Sequence, residues 1–162
     1  MKRFFSHPFQ SYLAVPLRIY LGLVFIAACW YKIQVPSAFA LSVATYQVLP
    51  LGLVNLMAIC LPWVELVVGI FLCIGFKTRA SALSCAVMLC MFMVAISYAL
   101  YFDLRLSCGC FASADAAEEM SVNTLWRDAL WLLISVYLIF IPSGRWGIDG
   151  LLLRKSLKEF PK

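Results

Sequence analysis

Two cysteines one residue apart, Cys108 and Cys110 with Gly109 between them, stand in a polar stretch between two strongly apolar ones. Thiols at that spacing and outside a bilayer point to redox chemistry. The glycine lets the backbone take the tight dihedrals that a Cys-x-Cys disulfide would require. So small a ring would be strained, and strained or exposed disulfides tend to be the oxidising, exchangeable kind. Ser107, Phe111, Ser113 and the acidic run from Asp115 to Glu119 surround the pair and point to an aqueous setting. A purely structural disulfide and a metal site stand beside the redox reading. Two thiolates can hold Cu(I), and Met88, Met91 and Met93 add soft sulfur. Those methionines sit well below the loop and read more simply as core filler. Zinc would need two further ligands, and the lone His7 falls on the opposite membrane face, which also removes a catalytic Cys-His pair.

Arg18 and Glu65 lie within apolar runs, where an ionisable group costs several kcal/mol unless it is paired. Counting ~1.5 Å per residue from the cytoplasmic ends of their spans puts Arg18 roughly 9 Å deep and Glu65 roughly 15 Å deep. A long arginine bridges that difference, so the structural expectation is an Arg18 to Glu65 ion pair that locks the bundle. The functional alternative is a polar site for a quinone head group or a proton path, with Trp63 and Tyr46 beside it. The other cysteines, Cys29, Cys60, Cys73, Cys85 and Cys90, read as small apolar filler.

The elements that must position these groups are membrane helices. Of 162 residues 64% are hydrophobic and only 13% charged, and the mean hydropathy is +0.94, so the chain has too little polar surface to cover a soluble globule. Spans of roughly 20 residues fit at Tyr12 to Ile33, Leu51 to Gly75, Arg79 to Phe102 and Thr124 to Pro142. The expected fold is all-α: one four-transmembrane-helix bundle, residues 1–162, with short interfacial helices. Val35 to Pro50 is too polar to span and too apolar to float free, and reads as a short surface helix entered after Pro36, with Ser37 as its cap. Phe76-Lys77-Thr78-Arg79 alone joins spans two and three, which forces an antiparallel hairpin. Gly69, Ala82, Ser84, Ala86 and Ser97 would let helices approach closely, within the bundle or in an oligomer. Residues 146–162 alternate Ile148, Leu151, Leu152 and Leu157 with Arg154, Lys155 and Lys158, as an amphipathic tail on anionic lipid would.

The net charge of +5 does not point to nucleic acid, because it is sorted by side. With alternating spans, Lys2, Arg3, Lys77, Arg79, Arg145, Arg154, Lys155, Lys158 and Lys162 share one face. The other receives Lys32, Arg105 and Arg127 against Asp103, Asp115, Glu118, Glu119 and Asp128. By the positive-inside rule both termini are cytoplasmic and the Cys-Gly-Cys loop faces the periplasm of an inner membrane, a compartment that permits disulfides. Ile26-Ala27-Ala28-Cys29 loosely resembles a lipobox, but Arg18 interrupts the apolar core, and Trp30, Tyr31 and Lys32 look like the interfacial end of a span.

Taken together, Leu17-Arg18-Ile19-Tyr20-Leu21-Gly22, Lys32, the Phe39 to Pro50 segment, Leu61-Pro62-Trp63-Val64-Glu65, Ser107-Cys108-Gly109-Cys110-Phe111 and Trp126-Arg127-Asp128 resemble the MauE/DoxX family of four-helix membrane proteins. Ala112 and Asp128 stand where that family more often has Gly and Asn. The resemblance implies an accessory role in maturing periplasmic proteins. Its MauE branch is needed for making methylamine dehydrogenase, whose small subunit is rich in disulfides, and is associated with a thioredoxin-like partner. Its DoxX branch is linked to quinol oxidation or other membrane redox complexes.

The expected activity is thiol-disulfide exchange between Cys108 and Cys110 and an extracytoplasmic thiol protein, either a thioredoxin-like protein or a maturing redox enzyme. Arg127 would favour the thiolate if it lies close. A quinone near Arg18, Glu65, Trp63 or Tyr46 is one candidate electron sink, which no sequence motif secures. The rival is a non-catalytic membrane scaffold whose disulfide only shapes a docking loop.

Overall fold

A computed structural model describes residues 8–45, 50–101, 122–141 and 147–148, and it is helical throughout its regular elements. The helices are α1 (Pro8–Gln34), α2 (Pro36–Thr45), α3 (Leu51–Ile74), α4 (Thr78–Tyr101) and α5 (Val122–Phe140). Tyr46, Cys108, Cys110, Arg105 and residues 149–162 of the expected tail lie outside the described residues.

The boundaries follow local chemistry. Pro36 opens α2 from its first position, where its missing N–H costs nothing, and not from the position before a Ser37 cap. Pro50, extended at φ −63° and ψ 142°, precedes α3. At the other end of α3 the Gly75 N–H donates to Leu72 O and the Phe76 N–H to Phe71 O, with Gly75 left-handed at φ 73°. That is a Schellman stop, and the Phe71 and Phe76 rings meet edge-on at 5.2 Å as its usual apolar clasp. The turn to α4 needs only Gly75, Phe76 and Lys77, as the short connection predicts.

Helices α1 and α3 form one tightly packed antiparallel pair and α4 and α5 another; α3 against α4, and α1 against α5, join the two pairs, while α2 lies on α3. Gly22 and Gly69 let the first pair close. A Cβ on Gly22 would sit 2.7 Å from the Gly69 carbonyl oxygen, and one on Gly69 would sit 2.9 Å from the Gly22 oxygen. Without a hydrophobic drive between helices in lipid, such backbone approach is a main source of attraction.

Three helices are long and apolar enough to cross a membrane: Tyr12–Gln34, Gly52–Ile74 and Thr78–Tyr98. Only 33–39% of their most apolar windows is buried inside the bundle, so the rest is an apolar surface that lipid must cover. The fourth expected span, α5, has 19 residues and carries Arg127 and Asp128 near its start. Its composition is therefore less membrane-like than that of the other three, and its place in the bundle rests on its packing against α4.

Each long helix buries one stripe at helical spacing. On α1 the stripe runs Ala14, Arg18, Leu21, Phe25, Cys29, Lys32; on α5 it runs Thr124, Asp128, Trp131, Ser135, Leu138, with Ile141 continuing it just past the helix. Both stripes contain charged residues.

Candidate functional site

Three of the four buried charged residues among those described, Lys32, Glu65 and Asp128, collect near the α2 end of the bundle. Lys32, 1% exposed, directs its Nζ at both carboxylate oxygens of Glu65, 2% exposed, at 2.8 and 3.0 Å. The same ammonium lies 5.0 Å from the centre of the Phe39 ring on α2 and 4.8 Å from that of Phe92 on α4. Aromatic faces carry negative charge density, so they stabilise a desolvated cation. One side chain from α1 thus holds α2, α3 and α4 together.

This arrangement replaces the expected pair between Arg18 and Glu65. Gly22 opposite Gly69 fixes the antiparallel register, and every helical side chain slopes toward the N-terminus of its own helix. In an antiparallel pair, Lys32 and Glu65 therefore lean toward each other, while Arg18 leans away from Glu65. Arg18 is buried at the other end of the bundle, its guanidinium packed on the backbone of Gly75 and Gly147. It stands 14 positions before Lys32, roughly 21 Å along the helix axis.

The α5 side of the site is Asp128, 2% exposed, whose Oδ1 accepts from Arg127 Nε at 3.4 Å. The Arg127 guanidinium lies 4.9 Å over the Trp131 ring, and Trp131 Nε1 donates to the Tyr20 hydroxyl of α1 at 3.3 Å. Lys32, Glu65 and Asp128 border a partly open pocket of about 30 Å³ whose lining is mainly apolar, with Leu89, Phe92 and Trp131 among it. Four helices meet there.

Of the residues expected to carry function, Glu65 is at this centre and Arg127 is at its edge. Trp63 is 55% exposed on the outer face of α3, two positions before Glu65 and so on the opposite side of the helix. Arg18 is at the far end. The structure therefore brings neither Arg18 nor Trp63 to Glu65, and Tyr46, Cys108 and Cys110 are not among the described residues. Lys32 and Asp128, counted from the sequence among the charges of the outer side, are both buried. The missed signal was their place in the buried stripes of α1 and α5. Of the five cysteines read as filler, Cys29 and Cys85 are buried free thiols, Cys73 is half-buried, and Cys60 and Cys90 are exposed on the outer surface of their helices.

The family model described as methylamine utilisation protein MauE matches residues 10–141, from the first turn of α1 to the end of α5. The chain belongs to this family. No match was found among curated proteins or among solved structures. Membership and the three apolar helices make the chain a multi-pass membrane protein with an accessory role in methylamine utilisation. The matched region includes every member of the charge centre: Lys32, Phe39, Glu65, Phe92, Arg127, Asp128 and Trp131.

Proposed function

We propose that this family member is a thiol-disulfide exchange protein of the inner membrane, serving the maturation of extracytoplasmic proteins that contain disulfides. The observation that carries the reading is the Cys108-Gly109-Cys110 pair, in a segment that leaves α4 at Tyr101 and enters α5 at Val122. The α3 to α4 turn fixes one end of the bundle. Tyr101, Val122, Lys32 and α2 are at the other. Burial of Lys32 against Glu65 takes a positive charge off that outer face, which sharpens the charge asymmetry and supports an extracytoplasmic loop with cytoplasmic termini.

The exchange runs with the Cys108 to Cys110 disulfide as oxidant. A thiolate of the maturing protein attacks one sulfur, the Cys108 to Cys110 bond breaks, and a mixed disulfide forms while the freed thiolate takes a proton. The second thiol of the substrate, deprotonated, attacks the mixed disulfide and leaves with its own disulfide closed. Two electrons and two protons have then passed to the pair. A disulfide on a thioredoxin-like partner restores it by the reverse sequence. Arg127, near the start of α5, would favour the thiolate form if the pair lies close to it.

The test is to trap the intermediate. In C108S and C110S the remaining thiolate attacks the disulfide of the oxidised thioredoxin-like partner and expels one partner thiolate; with no second loop cysteine to resolve it, the mixed disulfide should accumulate in one of the two variants, visible on non-reducing gels and by mass spectrometry. If neither single variant forms an adduct, and the double variant still supports maturation of the substrate protein, the loop is a docking element and the chain a scaffold.

A further inference from the structure

We propose that the end of the bundle carrying the α3–α4 turn is a binding surface for anionic phospholipid, built jointly from the turn and from the chain that leaves Gly147. The two segments meet backbone to backbone. A Cβ on Gly147 would sit 3.2 Å from the Gly75 carbonyl oxygen and 3.3 Å from the Gly75 Cα. It would also sit 2.8 Å from Nη1 of Arg18, whose buried guanidinium packs on both glycines. This contact fixes where the C-terminal segment starts relative to the turn.

Both segments bring cations. On the turn, Lys77 and Arg79 are exposed. Their backbone is held: Gly75 and Lys77 take positive φ, 73° and 44°, and the Ser81 N–H donates to Lys77 O at 3.0 Å. Beyond Gly147 the sequence adds Arg154, Lys155, Lys158 and Lys162 against Asp149 and Glu159. Arg154 and Lys155 follow Gly147 by seven and eight positions, so by whatever path the chain runs they stay within roughly 30 Å of it. Clustered lysines and arginines at a bilayer surface attract anionic headgroups, each adding to the pull.

The surroundings select an amphiphile over a soluble anion. Ile74, immediately before Gly75, and Ile148, immediately after Gly147, are exposed, as is Phe140 at the end of α5. These side chains carry the apolar, lipid-covered sides of the helices up to the cations. A phospholipid has the same order of parts, with acyl chains to lie along the helices and a phosphate to meet Lys77 and Arg79. The inference does not depend on the thiol pair.

Native mass spectrometry of the full chain in detergent, titrated with phosphatidylglycerol and separately with phosphatidylcholine of the same acyl chains, tests it. Phosphatidylglycerol should bind the unmodified chain more tightly. Lys77→Gln combined with Arg79→Gln should cut that preference by roughly fivefold for each charge removed. Changing Arg154, Lys155 and Lys158 to glutamine should cut it in the same way. Gly147→Val alters no charge but forces the two backbones apart, so it should weaken phosphatidylglycerol binding while helix content by circular dichroism is kept. Equal affinity for the two lipids in the unmodified chain overturns the proposal, as does a preference that survives undiminished in the Lys77 and Arg79 variant or in a folded Gly147→Val chain. Displacement of the lipid by inorganic phosphate at equal concentration would reveal a plain anion site and would also overturn it.

Discussion

Lys32 Nζ is within 2.8 and 3.0 Å of the two carboxylate oxygens of Glu65, a residue 33 positions away on the antiparallel neighbour helix. The pair sits between two phenyl rings from two further helices. A buried ion pair adds little stability over an apolar pair of the same shape, but removing one partner leaves a charge with no compensation.

That asymmetry makes a double-mutant prediction. Lys32→Met and Glu65→Leu should each destabilise the bundle, by about 3–5 kcal/mol. The combined variant should recover most of the loss. Reversible denaturant unfolding in detergent, followed by circular dichroism, measures all three. Additive losses in the combined variant would mean that the two side chains act independently.

The close approach of α1 and α3 predicts sensitivity at Gly22. A Cβ there meets the Gly69 carbonyl oxygen at 2.7 Å, and backbone cannot move aside as a side-chain tip can. Gly22→Val should push the helices apart at a cost of about 1–3 kcal/mol, the usual range for overpacking. Because the Gly22 to Gly69 contact also sets the register that brings Lys32 to Glu65, the variant should weaken the ion pair as well. The same unfolding assay, with Gly52→Val as a comparison, is the check; Gly52 has open space around its Cβ position.

At the other end of the bundle, Gly75 has two reasons to be glycine. Its φ of 73° is left-handed, and a Cβ would collide with the Arg18 guanidinium. Gly75→Ala should therefore cost more than the roughly 1–2 kcal/mol of the left-handed backbone alone. Combining it with Arg18→Ala removes the collision and leaves the backbone strain, so the two losses should be less than additive. Equal and additive losses would show that Arg18 does not press on the turn.

Topology gives a fourth prediction. In a cysteine-free background, Lys77→Cys in the α3 to α4 turn should react with a membrane-impermeant maleimide only after the inner face is opened. A lone Cys108 should react in intact spheroplasts. Reversed labelling would put the Cys-Gly-Cys segment in the cytosol, where a dithiol is normally kept reduced.

The helices were legible in the sequence because hydropathy and punctuation agree there. Pro36, Pro50 and the Gly75-Phe76-Lys77 turn mark where chain direction changes, and the apolar runs between them are long enough to span. The fourth helix was legible as a helix, while its Arg127-Asp128 pair makes it less apolar than a span of its length usually is. The charge centre was not legible as a pair. Depth along the spans alone brings Arg18 and Glu65 within reach of each other, but side chains slope toward helix N-termini, and that slope joins Glu65 to Lys32 instead. Lys32 looked interfacial because Trp30 and Tyr31 precede it. Its spacing from Cys29, Phe25 and Leu21 places it in the buried stripe, and the same count places Asp128 four positions after Thr124 and three before Trp131 in the buried stripe of α5.

The proposed activity rests on whether Cys108 and Cys110 exchange electrons. The most direct measurement is the redox state of that pair in purified, lipid-reconstituted protein, read by differential alkylation and mass spectrometry across a series of thiol-disulfide buffers. A reversible two-electron transition well above about −300 mV, the region below which structural disulfides typically lie, is the predicted result. A pair that stays oxidised across the whole series, or stays reduced without titrating, would contradict the account.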